Sequence, residues 1–442
     1  MWREEDREIF RLAFPAFLTL LAEPLFLLAD SAIIGHLGVD SLAGLSIAAT
    51  VMSILVGLCV FLAYGTTGVV ARRVGAGDLR AALAHGVDGL WLGGALGSLI
   101  AVLGWLAAPE LTGLFDATPE VHAAATRYLQ IAIIGALPLL LMLAATGVLR
   151  GLQDTRTPLV VAVVANAANV LLNLTFVYGF GWGIAGSAYG TLLAQLGSAI
   201  ALVWVVVRAT AKYGASLRPS ARGVVAAGRA SIALVVRSLS LQAALALTTY
   251  AVSVQVSGRL QAAHLAAHQL TLVIWFFLAY ALDAIAIAAQ AITGRSIGAG
   301  DIPAARAITR RMMTWGVVCG AVLAVPVLVV SPWLWRLFTP DENAGRLLRH
   351  TLIIVAIGLP IAGLVFVLDG ILIGAGDNTF LAGAQLIALL GYLPAAWLVV
   401  THSESLVALW VAFALGWVSL RCLLLVARQR SDTWLRVAEA RG

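Results

Sequence analysis

A few charged and amide side chains stand inside segments that are otherwise apolar, and these are the residues whose types and spacing allow chemistry. The first such segment carries Glu23 and Asp30, seven residues apart and therefore on one face of a helix, with Pro24 between them. Proline removes a backbone donor and loosens the hydrogen-bond ladder at that point. A carboxylate in a low-dielectric setting holds a proton more tightly than one in water, which suits it to alternate between neutral and ionised forms. Asp30 is therefore a candidate for taking up and releasing a coupling ion, and Glu23 is a cavity candidate. The alternative for Asp30 is a structural carboxylate held by neighbouring hydroxyls and amides. Asn166, Asn169 and Asn173 follow a 0, 3, 7 pattern along one helix face, and Thr191 and Gln195 stand at i and i+4 on the next helix. Amide and hydroxyl oxygens ligate a hard cation or hydrogen-bond a protonated carboxylate. They serve equally as glue between helices in lipid. Further along, Arg237, Asp283 and Asp369 are charges within apolar segments. Arg237 with Asp283 or Asp369 reads as a structural ion pair, with a second substrate or ion site as the other reading.

The elements that must position these residues follow from composition. Of 442 residues 61% are hydrophobic and 11% charged, against roughly 25% charged in a soluble domain. A water-soluble globule has no use for that much apolar surface, so the solvent is lipid. The apolar runs fall at about 9–34, 42–70, 82–108, 121–149, 158–178, 184–208, 230–256, 263–293, 305–331, 347–373, 380–400 and 405–427. Each reaches the roughly 20 residues that a helix needs to cross a bilayer. The expected fold class is an all-α integral membrane protein of twelve transmembrane helices.

Basic residues set the expected orientation. With the N-terminus inside, the cytoplasmic side holds the larger share of the 28 basic residues, including Arg72, Arg73, Arg150, Arg208, Arg295, Arg310, Arg311, Arg421 and Arg428. Both termini are then cytoplasmic. The same placement explains the net charge of +6 without nucleic acid, because the arginines mark topology rather than form a stripe.

The sequence also repeats. Arg72-Arg73-Val74-Gly75-Ala76-Gly77-Asp78 returns as Arg295-Ser296-Ile297-Gly298-Ala299-Gly300-Asp301, an offset of 223. That offset also pairs Gly35 with Gly258, Leu114-Phe115 with Leu337-Phe338, Gly151 with Gly374 and Asp154 with Asp377. It spans six helices, an even number, so the two six-helix repeats are parallel, related by an axis along the membrane normal. The expected division is an N-lobe over 1–208, a cytoplasmic linker over 209–229 and a C-lobe over 230–442. The lobes are chemically unequal: Asp30 pairs with Ser253, Asn169 with Tyr392 and Asn173 with Ala396.

With these residues in view, the chain resembles the multidrug and toxic compound extrusion (MATE) family of secondary transporters, in its DinF-like branch. The resemblance rests on Leu28-Ala29-Asp30-Ser31-Ala32-Ile33-Ile34-Gly35-His36-Leu37-Gly38, on the paired Gly-Ala-Gly-Asp loops, on Leu149-Arg150-Gly151-Leu152-Gln153-Asp154-Thr155 and on Ala288-Ala289-Gln290-Ala291-Ile292-Thr293-Gly294. It implies two six-helix lobes in a V that export cationic or amphipathic compounds by alternating access, driven by a proton or sodium gradient. It also implies that Asp30, Asn169, Asn173 and Thr191 form the ion-coupling cluster. Glu23, Gln195, Arg237, Asp283 and Asp369 remain cavity candidates. Many relatives carry an aspartate where Asn173 stands. A sodium site would lose charge compensation by that change, so the expected coupling ion is the proton, with sodium as the alternative. No cofactor is expected, and the protein is expected to act as a monomer.

Other readings fare worse. A flippase for lipid-linked polyanions would want several cationic residues in its cavity, and Arg237 is the one clearly within a helix. An intramembrane enzyme would need a nucleophile–base pair or metal cluster. His264 and His268, at i and i+4, have no further ligands nearby in sequence, and the three cysteines Cys59, Cys319 and Cys422 fit no metal spacing. Gly181-Trp182-Gly183-Ile184-Ala185-Gly186 has the spacing of a dinucleotide fingerprint but follows no strand and reads as a hairpin turn. The Gly-Ala-Gly-Asp loops lack the lysine of a P-loop. The charged N-terminus leads into a helix with no cleavage-site pattern, so no removable signal peptide is expected.

Overall fold

The computed structural model describes residues 4–115, 117–256, 258–338 and 342–439. They form α1 (Glu4–Gly35), α2 (Val39–Cys59 and Phe61–Gly75, offset at Val60), α3 (Leu79–Gly113), α4 (Pro119–Gly151), α5 (Arg156–Gly179), α6 (Gly183–Lys212), α7 (Ala221–Gln255), α8 (Gly258–Gly298), α9 (Ile302–Phe338), α10 (Glu342–Ala375), α11 (Asn378–His402), α12 (Leu406–Arg430) and a short α13 (Thr433–Glu439). No strand occurs among the described residues. Eleven of these helices, α2 to α12, are long and apolar enough to cross a bilayer. With α1, of 32 residues, they make the expected twelve. Most run several residues past the hydropathy-derived bounds, because polar ends continue the helix after the apolar run stops.

The chain forms two compact units, Phe14–Ile232 and Met1–Ala13 with Ala233–Gly442. This differs from the expected division in two places. The start of α1 groups with the C-terminal unit, where the buried carboxylate of Asp6 accepts from Arg311 Nε at 2.7 Å, Arg311 Nη2 at 2.6 Å and Trp315 Nε1 at 2.8 Å. The start of α7 groups with the N-terminal unit, where Asp88 accepts from the Ser220 backbone N–H at 2.7 Å. Most of the segment expected as a linker is helix, with only residues 213–220 outside α6 and α7.

Within each unit the same helix pairs pack together. In the first, α2 packs on α3 and α4, α3 on α4, α5 on α6 and α4 on α6; in the second, α8, α9, α10, α11 and α12 repeat that scheme at positions two to six. The correspondence holds residue by residue. Gly147 of α4 lies against the Ala63 carbonyl and Gly370 of α10 against the Ala286 carbonyl, each shifted by 223. Gly151 meets the Thr67 carbonyl and Gly374 the Gln290 carbonyl, again at that offset. A side chain at any of these four would drive two helix backbones apart, which is how glycine sets close packing where lipid gives no hydrophobic drive between helices.

The Gly-Ala-Gly-Asp loops have a local explanation. Gly77 and Gly300 take φ of 77° and 71°, a left-handed conformation natural to glycine. The N–H of Asp78 reaches the Arg73 carbonyl and that of Asp301 the Ser296 carbonyl, closing the preceding helix. Each aspartate then caps the next helix, accepting from Ala81 N at 2.8 Å and Ala304 N at 2.9 Å. Those loops stop one helix and start another. The Gly-x-Gly hairpin after α5 is likewise a turn, with Gly181 and Gly183 at positive φ.

Candidate functional site

Asp30 sits near the end of α1 and is 1% exposed. Its Oδ1 accepts from Asn173 Nδ2 at 2.8 Å and from the Ser187 hydroxyl, and its Oδ2 accepts from the Tyr128 hydroxyl at 3.0 Å. Asn173 Nδ2 also reaches Asn169 Oδ1 at 3.2 Å, and Asn169 Nδ2 donates to Thr191 Oγ1 at 3.2 Å. One connected network thus joins α1, α4, α5 and α6, and all its members are buried. It includes Asp30, Asn169, Asn173 and Thr191, the four residues grouped by resemblance.

The local sequence explains how the network is reached. Asn166 donates to the Ala22 carbonyl at 2.9 Å and Tyr178 to the Ile33 carbonyl at 2.6 Å, so α5 binds α1 above and below the Asn173–Asp30 contact. A π-helical turn at Thr175–Gly179 begins two residues after Asn173, a distortion that often accompanies functional sites. Gly190 faces the Asn173 amide oxygen, and any side chain there would collide with it.

Two members were missed. Ser187 lies one helical turn before Thr191, as Gln195 lies one turn after, so the 187, 191, 195 spacing carried the signal. Tyr128 stands in a run of mixed residues, and nothing in its sequence neighbourhood marks it.

An ionised carboxylate only accepts hydrogen bonds, so three donors satisfy Asp30 in its charged form. The Tyr128 and Ser187 hydroxyls can also rotate and accept, which allows a protonated Asp30 in the same cradle. None of the three donors is cationic. The arrangement can therefore hold the carboxyl in either state.

Beside this network lies a cavity of about 310 Å³ in the N-terminal unit, bounded by α1, α2, α4, α5 and α6. Tyr128, Asn169 and Thr191 form its wall next to Asp30, and Gln195 and Asn166 also line it. Gln195 Oε1 rests against Gly135, within a tight 3₁₀ turn of α4 that has no side chain to obstruct it. The side chain of Glu23 lies outside the described residues.

The C-terminal charges come together differently. Asp369 of α10 accepts at Oδ2 from Arg237 of α7 at 3.2 Å and from Arg421 of α12. This is the ion pair expected for Arg237, enlarged by a second guanidinium. Arg421 corrects the sequence reading, which placed it among cytoplasmic charges; it is 6% exposed and inside α12, which continues to Arg430. Asp283 is half-buried on α8. At the positions equivalent to Asn169, Ser187 and Gly190 this unit has Tyr392, Trp410 and Phe413, whose rings pack at 5.5 to 5.8 Å with Trp417 beyond. His268 packs on Trp410 and hydrogen-bonds Thr249, and among the described residues no group of histidine, cysteine or acidic side chains could hold a metal.

Known proteins resemble the chain throughout its length. The family model MatE matches residues 15–175 and 239–398, one copy in each repeat. The DNA damage-inducible protein F of Escherichia coli is 29% identical over 97% of this chain and 94% of its own length. A probable multidrug resistance protein NorM of Bradyrhizobium diazoefficiens is 28% identical, over 93% and 91%. Among solved structures, a mutant of the Vibrio cholerae MATE transporter VcmN superposes with a TM-score of 0.87 at 24% identity, covering 98% of both chains.

Proposed function

The chain is a multi-pass membrane transporter of the MatE family, and on that premise we propose that it exports amphipathic small molecules, drugs or toxic metabolites, by antiport against protons through Asp30. The observation that carries the reading is the buried Asp30 carboxylate, held by three neutral donors beside a cavity. A transporter without an ATP site needs a group that changes charge inside the membrane, and an intramembrane carboxylate is that group by default. Alternating access then links its protonation to the exposure of the cavity.

Proton rather than sodium coupling draws support from the donor set. A sodium ion wants oxygens converging on it, whereas Asn173 presents its amide nitrogen to Asp30. With an asparagine at 173, the cluster has one carboxylate to balance a bound cation. The multidrug description of the Bradyrhizobium relative supports the substrate breadth. The protein acts in the cell membrane as a monomer with both termini in the cytoplasm, the basic residues favouring that orientation.

The test is an Asp30→Asn variant in a drug-sensitive host. It should reach the membrane at the normal level and confer no resistance. Resistance equal to the unaltered protein would remove Asp30 from the mechanism.

A further inference from the structure

The walls of the N-terminal cavity are mostly aliphatic, and Arg150 is the one charged side chain among the described residues that line it. Arg150 is 8% exposed and stands at the end of α4, 22 residues from Tyr128. At 1.5 Å per residue the two are about 33 Å apart. Between them Leu139, Met142 and Leu143 give an apolar wall, and Thr146 and Ser198 also line the cavity. Asp30 meets none of this space directly, because it is 1% exposed behind Tyr128, Asn169 and Thr191. A cationic substrate entering the cavity thus meets a guanidinium at one end and amides and hydroxyls at the other.

We propose that the cavity takes amphipathic acids, with an elongated apolar body along α4 and an anionic head at Arg150. This rests on the exporter reading above and names its substrate class. A guanidinium has five donors in a planar fork, enough to hold an oxyanion alongside other contacts. Charge-assisted pairs of this kind are the strong ones, and Thr146, one turn from Arg150, adds a hydroxyl donor. The second unit lacks the equivalent. By the 223 offset, Arg150 becomes Ile373, while Thr146 and Ser198 become Asp369 and Arg421, which are bonded to each other. Head-group recognition therefore belongs to one repeat.

The experiment uses the full chain in everted membrane vesicles with an imposed pH gradient and two radiolabelled probes of equal chain, decanesulfonate and decyltrimethylammonium. Both carry permanent charges, so passive crossing is slow. Gradient-driven uptake of decanesulfonate is expected, with little uptake of the ammonium probe. Arg150→Gln should lower sulfonate uptake about tenfold or more, and Arg150→Lys should retain part of it. Should Arg150→Gln fail to accumulate, Thr146→Glu replaces it, placing a carboxylate beside the head site; it should abolish sulfonate uptake and admit the ammonium. Asp30-dependent uptake of the ammonium alone overturns the proposal and leaves the exporter reading standing, as does sulfonate uptake unchanged in Arg150→Gln or in Thr146→Glu. Uptake of neither probe overturns both.

Discussion

At the scale of single residues, the polar side chains of α1, α5 and α6 were legible because apolar surroundings make each one costly. Asp30, Asn169, Asn173 and Thr191 share one hydrogen-bond network. Tyr128 was not legible, because an aromatic residue in a helix is ordinarily packing material and only its tertiary contact gives it a role. Removing one of the two hydroxyls that hold Asp30 should cost about 1.4 kcal/mol of that interaction, roughly tenfold in rate. Tyr128→Phe and Ser187→Ala are each expected to lower gradient-driven export by that factor while leaving the protein folded, as measured by initial rates in vesicles. Unchanged rates in both would make the cradle structural only. Arg421 shows the opposite failure of sequence reading. Counting arginines for topology treats a residue near a helix end as a surface charge, whereas α12 runs nine residues further and buries it.

At the scale of helices, hydropathy located all twelve spans but not their partners. Partner choice is written in glycines, which become informative only when the repeat offset aligns them. Gly147→Ala and Gly370→Ala should each destabilise the protein by about 1–3 kcal/mol, since a methyl group would press on the facing carbonyl in both units. Thermal unfolding in detergent checks this, and an unchanged midpoint for both would contradict the shared packing scheme. Asp369 ties α10 to α7 and α12, so Asp369→Asn leaves two guanidiniums short of their common carboxylate. A loss of about 3–5 kcal/mol is expected in the same assay. Any of the remaining protein should still couple transport to the pH gradient, which separates a structural ion cluster from a second coupling site.

At the scale of the whole molecule, the duplication was readable from one constant offset and recurs in the helix pairing of each unit. The grouping of the two leading helices was not readable. Hydropathy marks where a helix crosses lipid, and it is silent on whether Asp6 meets Arg311 or the Ser220 N–H meets Asp88. The two halves share a fold and differ in chemistry. Where the first has Asn169 and Ser187, the second has Tyr392 and Trp410, each packed edge-on against Phe413. Ion coupling on this account resides in the N-terminal unit and uses protons. The direct test is transport by the purified protein in proteoliposomes, with a pH gradient and a sodium gradient imposed separately. The account predicts export driven by the pH gradient and lost in Asp30→Asn; transport driven by sodium alone, or surviving in Asp30→Asn, would contradict it.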